Sequence, residues 1–277
     1  MDQQLDQSRA QATIEADLDY LLDTGEVPYT FSGGPGSTAI DTNIKPDKRR
    51  VTIEDGRPYA DSFALERNGF RFLRHPTAMR DFFDEAAVRS LYYREMEELV
   101  KRESGATRVV VFDHTLRTAD DAAREAKKIR EVVRRVHNDY TEWSGPQRVR
   151  DLLPDEADAL LRRRFAIIQV WRPIKHTVET APLAIADAAS LADSDLVVSE
   201  RRYPGRVGQT YAVRYNPAHR WYWFPRMAPD EALVFKTYES LKDGRARWTA
   251  HTAFDDPTAP AGAWPRESIE IRTLAFF

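Results

Sequence analysis

The chain has 277 residues, 42% of them hydrophobic, a formal net charge of -3 and no cysteine. Disulfides, thiolate catalysis and Cys-type zinc or iron–sulfur sites are thereby excluded, and nucleic acid is disfavoured because the chain carries no global positive field. Six Trp, eleven Tyr and thirteen Phe supply ample material for a large core, which sets disorder aside except at the ends.

Residues 2–23 read as a helix up to Leu22, with Leu5, Ile14, Leu18, Leu21 and Leu22 at mixed three- and four-residue spacings before Thr24-Gly25 stops it. The stretch 29–36 holds Gly33, Gly34, Pro35 and Gly36 and has loop composition; no Gly-Lys-Ser/Thr follows, so it is not a phosphate-binding loop. The run from Lys45 to Arg50 reads as a solvated loop, and 51–72 as loop and short strand ending in Asn68-Gly69-Phe70. A helical face recurs over 84–103 through Val88, Leu91, Tyr92, Met96, Leu99 and Val100. After Gly105 a β-branched run spans 108–112, followed by a polar helix at about 119–130.

Residues 132–136 lead into His137, 154–164 read as a capped polar helix, and 165–171 are strongly β-prone. Further strands are expected at 183–187, 195–203, 208–215, 219–224, 232–238, 248–254 and 267–276. Short strands punctuated by Pro, Gly and Asp point to a double-sheet jelly roll rather than alternating βαβ units. We therefore expect one domain over 1–277, mainly β with flanking helices. An N-terminal helical and loop elaboration (1–105) would precede a double-stranded β-helix, cupin-like core (106–277). No apolar stretch approaches the ~20 residues of a membrane span and the first residues are polar and acidic, so a cytoplasmic protein is expected.

The chemistry centres on His137-Asn138-Asp139. Six histidines and 44 acidic residues predict about one His-x-acid by chance, so this motif needs downstream support. His251 supplies it, 112 residues after Asp139 in an apolar-flanked run. Two imidazoles and one carboxylate on one face of an Fe(II) leave open positions for a cosubstrate and oxygen, as in non-haem iron oxygenases. Arg266 follows His251 by 15 residues, with Ser268 two further on. On a strand both point to one face, and a guanidinium fork suits a carboxylate. Arg272 is the competing anchor, about 20 Å further along an extended strand at ~3.3 Å per residue. On the last strand Arg266, Ser268, Glu270 and Arg272 share a face opposite Ile269 and Ile271; periodicity allows that face to line a cavity or to meet solvent, and we read it as lining a cavity because the metal constellation asks for an anchor here. Gln169 is a candidate for the cosubstrate, and Tyr140 and Trp143, directly after His-x-Asp, for the substrate.

Several segments together resemble one family: 164–173 (Arg164 to Pro173), 181–187, 227–231, Tyr238-Glu239-Ser240, His251-Thr252-Ala253-Phe254 and 265–272 (Pro265 to Arg272). It contains the smaller protein of the bacterial cephamycin 7α-methoxylation pair and fungal oxygenases of meroterpenoid and amino-acid-derived natural product pathways. The resemblance runs from about Asn68 to the C-terminus, with Glu239 where many members have Asp. It implies a double-stranded β-helix, Fe(II) and 2-oxoglutarate. His137, Asp139 and His251 would be the metal ligands and Arg266, within Pro-Arg-Glu-Ser, the anchor for the distal carboxylate. The implied partners are a small-molecule substrate and O2, with a homodimer or a pathway partner protein left open. Some members carry a methyltransferase label, so an S-adenosylmethionine-dependent methyltransferase and a non-catalytic partner of a two-protein system are the alternatives. No glycine-rich turn follows 108–112, against the methyltransferase.

Overall fold

Two sheets face each other across the core. The structure is a computed structural model and describes residues 13–32, 40–120 and 130–277. Five strands come first: β1 (Thr13–Leu21), β2 (Tyr29–Ser32), β3 (Ile40–Thr42), β4 (Pro46–Asp55) and β5 (Phe70–Arg74). A continuous helical segment follows, built from α1 (Glu85–Ala87), a π-helical turn (Val88–Tyr92) and α2 (Tyr93–Ser104). After it come β6 (Arg108–Thr118), β7 (Arg130–Glu131), β8 (His137–Asn138), α3 (Ser144–Leu152), α4 (Ala157–Leu161) and β9 (Phe165–Pro173). The remaining strands are β10 (Leu183–Ala186), β11 (Leu196–Tyr203), β12 (Arg206–Val213), β13 (Trp221–Trp223), β14 (Glu231–Glu239), β15 (His251–Ala253) and β16 (Glu267–Phe276). One sheet has the order β1-β4-β13-β10-β15-β8-β12-β11-β2-β3 and the other β5-β14-β9-β16-β6-β7. This is the expected jelly roll, mainly β with flanking helices.

The second sheet is buried on both faces, which is why its central strands read as near-continuous apolar runs. Ala166, Ile168, Val170, Ile269 and Ile271 pack under α2 with Met96, Leu99 and Val100. Their alternating neighbours Phe165, Ile167 and Trp171 turn to the other sheet. Full burial of each such aliphatic side chain contributes roughly 1.5–3 kcal/mol. Gly105, at φ 75°, ends α2 in the left-handed conformation that closes helices, and its N–H bonds the Lys101 carbonyl.

The helix expected up to Leu22 is corrected. Residues 13–21 are β1, paired with β4 from Thr13↔Glu54 to Leu21↔Pro46. The four-residue step from Ile14 to Leu18 fits a helix and a strand alike, and burial of Ala16, Leu18 and Tyr20 shows that period two decides. The part before residue 13 lies outside the described residues. The basic run at 45–50 is solvated as expected but largely belongs to β4, where Lys48 pairs with Asp19 and Arg50 with Asp17. Residues 29–32, expected as loop, pair with β11 and β3 as β2, while 33–36 lie outside the described residues. The segment before 106 is thus not confined to helices and loops, since it gives β1–β4 to one sheet and β5 to the other. Most of the helix expected at 119–130 falls on 121–129, outside the described residues. The helix expected at 154–164 is shorter, and α3 was not expected at all.

Two features fix the frame around β15. Gly69, at φ 83°, admits no side chain, because a Cβ would stand 2.3 Å from Thr249 Oγ1. Its carbonyl accepts from Lys236 N and Thr249 Oγ1. Lys236 and Glu239 are buried and paired at 3.0 Å, with Glu66 and Arg164 completing the network. Removing one member of such a pair leaves an uncompensated buried charge. Glu239→Ala should therefore cost about 3–5 kcal/mol in urea unfolding, and Lys236→Met added to Glu239→Leu should recover much of it; a loss near zero for Glu239→Ala would show that the pair is dispensable.

Candidate metal centre

His137 and His251 are brought together because β8 and β15 pair, with the two histidines directly opposite in register. Asp139 follows β8 by one residue. Among the described residues, ligand atoms of His137, Asp139 and His251 lie within 4.8 Å of one another. His137 Nε2 stands 3.6 Å from Asp139 Oδ1, and the two imidazole centroids are 4.4 Å apart.

The backbone sets the tautomers. His137 Nδ1 lies 2.8 Å from the Arg135 carbonyl and His251 Nδ1 3.0 Å from the Thr249 carbonyl. A carbonyl only accepts, so each Nδ1 carries the proton and each Nε2 offers a lone pair to the same point. Burial, reinforced by His251, pushes the His137 pKa down to about 3, so the ring is a neutral donor. Burial alone would raise the Asp139 carboxyl, but the Arg272 guanidinium and the hydrogen bond from Gln169 outweigh it and hold the group well below the usual carboxylate range. Two imidazole nitrogens and one carboxylate, with nothing soft among them, are a donor set that suits a divalent iron.

Asn138, which sequence reasoning passed over, orients these ligands. It is fully buried, donates to the Tyr140 and Thr237 carbonyls and accepts from Thr249 N at 3.2 Å. A register shift in β14 between Lys236 and Tyr238 accompanies the Thr237 contact. Its place between His137 and Asp139, on the opposite face of the strand, was the available signal. Gln169, expected at the cosubstrate, donates from Nε2 to Asp139 Oδ2 at 2.7 Å, and among the described residues its Oε1 is buried without a partner.

A cavity of about 750 Å³ opens beside His137 and Asp139. Tyr140 and Trp143 both line it, one buried and the other half exposed. Arg272 also reaches its wall, but is engaged by Asp113 at 2.9 Å, Thr115 at 2.9 Å, Glu270 and, from Nε at 3.5 Å, Asp139. Arg266 and Ser268 are buried away from that wall. Arg266 stacks over Trp171 at 5.4 Å and donates to the Ala181 carbonyl at 2.6 Å. Ala181 holds a φ of 45°, a left-handed backbone disfavoured for a residue with a Cβ. Burial, with Arg117 and Arg134 nearby, pushes the Arg266 pKa down to about 9, although Glu270 works against them. Among the described residues, Arg266 Nε and Ser268 Oγ are buried without partners. An under-neutralised cation beside an unsatisfied hydroxyl fits a carboxylate. Trp171, beneath Arg266, is two residues from Gln169 on one face of β9, about 7 Å along the strand, a span that a diacid can bridge.

Over residues 18–276 the chain matches the family described as an oxidoreductase/YMDC permease-like domain. It is 33% identical over 290 residues to the hydroxylase/desaturase efuI of Hormonema carpetanum, covering 96% of this chain and 95% of that protein. The Fe(II)/2-oxoglutarate-dependent dioxygenase nvfI of Aspergillus novofumigatus is 33% identical over 258 residues, 91% of each. A solved structure of the iron and alpha-ketoglutarate-dependent endoperoxidase NvfI superposes with a TM-score of 0.84 at 30% identity, covering 97% of this chain and 99% of that one.

The hydrogen bond from Gln169 orients Asp139, and loss of such an outer contact weakens metal affinity by about 10–100-fold. Gln169→Leu should show that weakening in a Co(II) titration followed by visible absorption. Equal affinity in variant and parent would mean that Asp139 is held without it.

Proposed function

Since this chain belongs to the family of Fe(II)/2-oxoglutarate-dependent oxygenases of natural product biosynthesis, we propose that His137, Asp139 and His251 hold its iron and that Arg266 and Ser268 hold the far carboxylate of its 2-oxoglutarate. The observation that carries the metal assignment is the pair of Nδ1–carbonyl hydrogen bonds, which leave both Nε2 atoms free beside one ionised carboxylate. When bound, iron and 2-oxoglutarate supply oxidation of a small-molecule substrate by O2, with decarboxylation of the cosubstrate to succinate.

The protein's part is position and charge. Gln169 and Arg272 occupy Asp139 Oδ2, which leaves Oδ1 on the side of His137. Phe235 packs edge-on against the His251 ring at 4.9 Å and fixes its plane. Arg266 has the spare hydrogen-bonding capacity that Arg272, already engaged by three carboxylates, lacks. Tyr140 and Trp143 present aromatic surface to a substrate in the cavity. With ligands on one sheet and anchors on the other, the chain works as a single domain, and a complete ligand set supports turnover without a partner protein. The methyltransferase and passive-partner readings give way to the oxygenase, as the named relatives are dioxygenases and hydroxylase/desaturases.

Anaerobic Fe(II) titration should give one tight site in the parent and none in His251→Ala; equal binding in both would remove His251 from the ligand set. For the anchor, Arg266→Ala should weaken 2-oxoglutarate binding by on the order of 2–5 kcal/mol in calorimetry, with Fe(II) stoichiometry retained. If Arg272→Ala abolished 2-oxoglutarate binding while Arg266→Ala left it intact, Arg272 would be the anchor.

A further inference from the structure

The cavity beside the metal centre carries more positive charge than its neighbours neutralise. Arg117, Arg135, Arg148 and Arg201 line it, and among the described residues none of the four forms an ion pair. The acids on the same wall are engaged elsewhere. Asp19 pairs with Lys48 at 3.0 Å, Asp113 with Arg272 at 2.9 Å, Asp151 accepts from Gln147 at 2.7 Å, and Asp139 belongs to the triad.

Two of these arginines are arranged about one point. Arg201 on β11 is the register partner of Thr30 on β2, so their side chains share a face. Arg135 reaches that threonine from the segment before β8, with Nη2 at 3.5 Å from Thr30 Oγ1. The Arg135 guanidinium thus meets Thr30 on the face that Arg201 shares, and like charges placed on one wall of a cavity repel each other. Opposite Arg201 on β12 stands Gly208, which brings no side chain to the space beside it. A bound anion removes the repulsion and meets two planar forks and a hydroxyl, the donor set that oxyanions select.

We propose that the substrate is a small organic acid whose oxyanion group is held between Arg135 and Arg201, with its body along Tyr140 and Trp143 toward His137 and Asp139. This rests on the iron and 2-oxoglutarate reading above. The pair acts as a specificity device because an uncharged analogue of equal shape leaves both cations facing each other.

The test is calorimetry on protein loaded with Fe(II) and 2-oxoglutarate under argon, with 1-naphthaleneacetate and its uncharged amide as probes. The acid should bind tighter than the amide by about tenfold or more, as expected for charge-assisted hydrogen bonds. Arg201→Gln should abolish that preference and Arg201→Lys should restore part of it, with thermal melting showing that both variants fold. Equal binding of acid and amide, or binding of neither at millimolar concentration, overturns the proposal. So does a loss of 2-oxoglutarate affinity in Arg201→Gln as large as the loss for naphthaleneacetate, which would assign the pair to the cosubstrate. Failure of the parent to bind Fe(II) or 2-oxoglutarate at all would instead sink the earlier reading.

Discussion

Everything at the centre depends on the buried side chain of Asn138. Its amide donates to carbonyls on either side of the core and accepts from the backbone two residues before His251. One residue thereby fixes the segment that carries His137 and Asp139, the irregular turn of β14, and the approach to β15. An unmet amide there would cost about 1–3 kcal/mol per lost partner, so the three segments are held together or fail together. The ligand geometry follows from this frame, since His137 and Asp139 alternate against Asn138 and project together to the other side.

The second constraint is electrostatic. The inner face of β16 buries Ser268, Glu270 and Arg272 beside the preceding Arg266. Burying charge is expensive, and a buried pair seldom improves stability over apolar packing. These groups are there for what they orient. Arg272, together with Gln169, keeps Asp139 ionised and aimed, while Arg266 remains short of partners behind it. Ala181 holds a disfavoured backbone conformation with its carbonyl on Arg266, which is where strain at a functional site is expected.

The residues that could be read in advance were those whose signal is local. Strands from Phe165 onward alternate or run apolar over enough residues to declare themselves, and the 84–103 face matches α2 and the turn before it. His137, Asp139 and His251 were found because metal chemistry limits residue types. β1 was misread because Ile14 and Leu18 satisfy both periods and the deciding partners, Val51 and Ile53, lie more than thirty residues away. Arg135 and Arg201 join one cavity through the β8–β12–β11 pairings, which no spacing announces. Arg135 does stand two residues before His137, and the parity used for Asp139 would have placed it beside the site.

The register of β8 against β15 has a further consequence. A slip of one residue in either strand would turn its imidazole to the face opposite the other's. Only the correctly threaded chain therefore assembles a divalent ligand set, and an ion bound there selects that threading over its near misses. By mass action such selectivity couples folding to metal supply. Iron in this protein would then serve as a proofreader of strand alignment as well as a reagent, and chains made when iron is scarce would spend more time open to proteolysis.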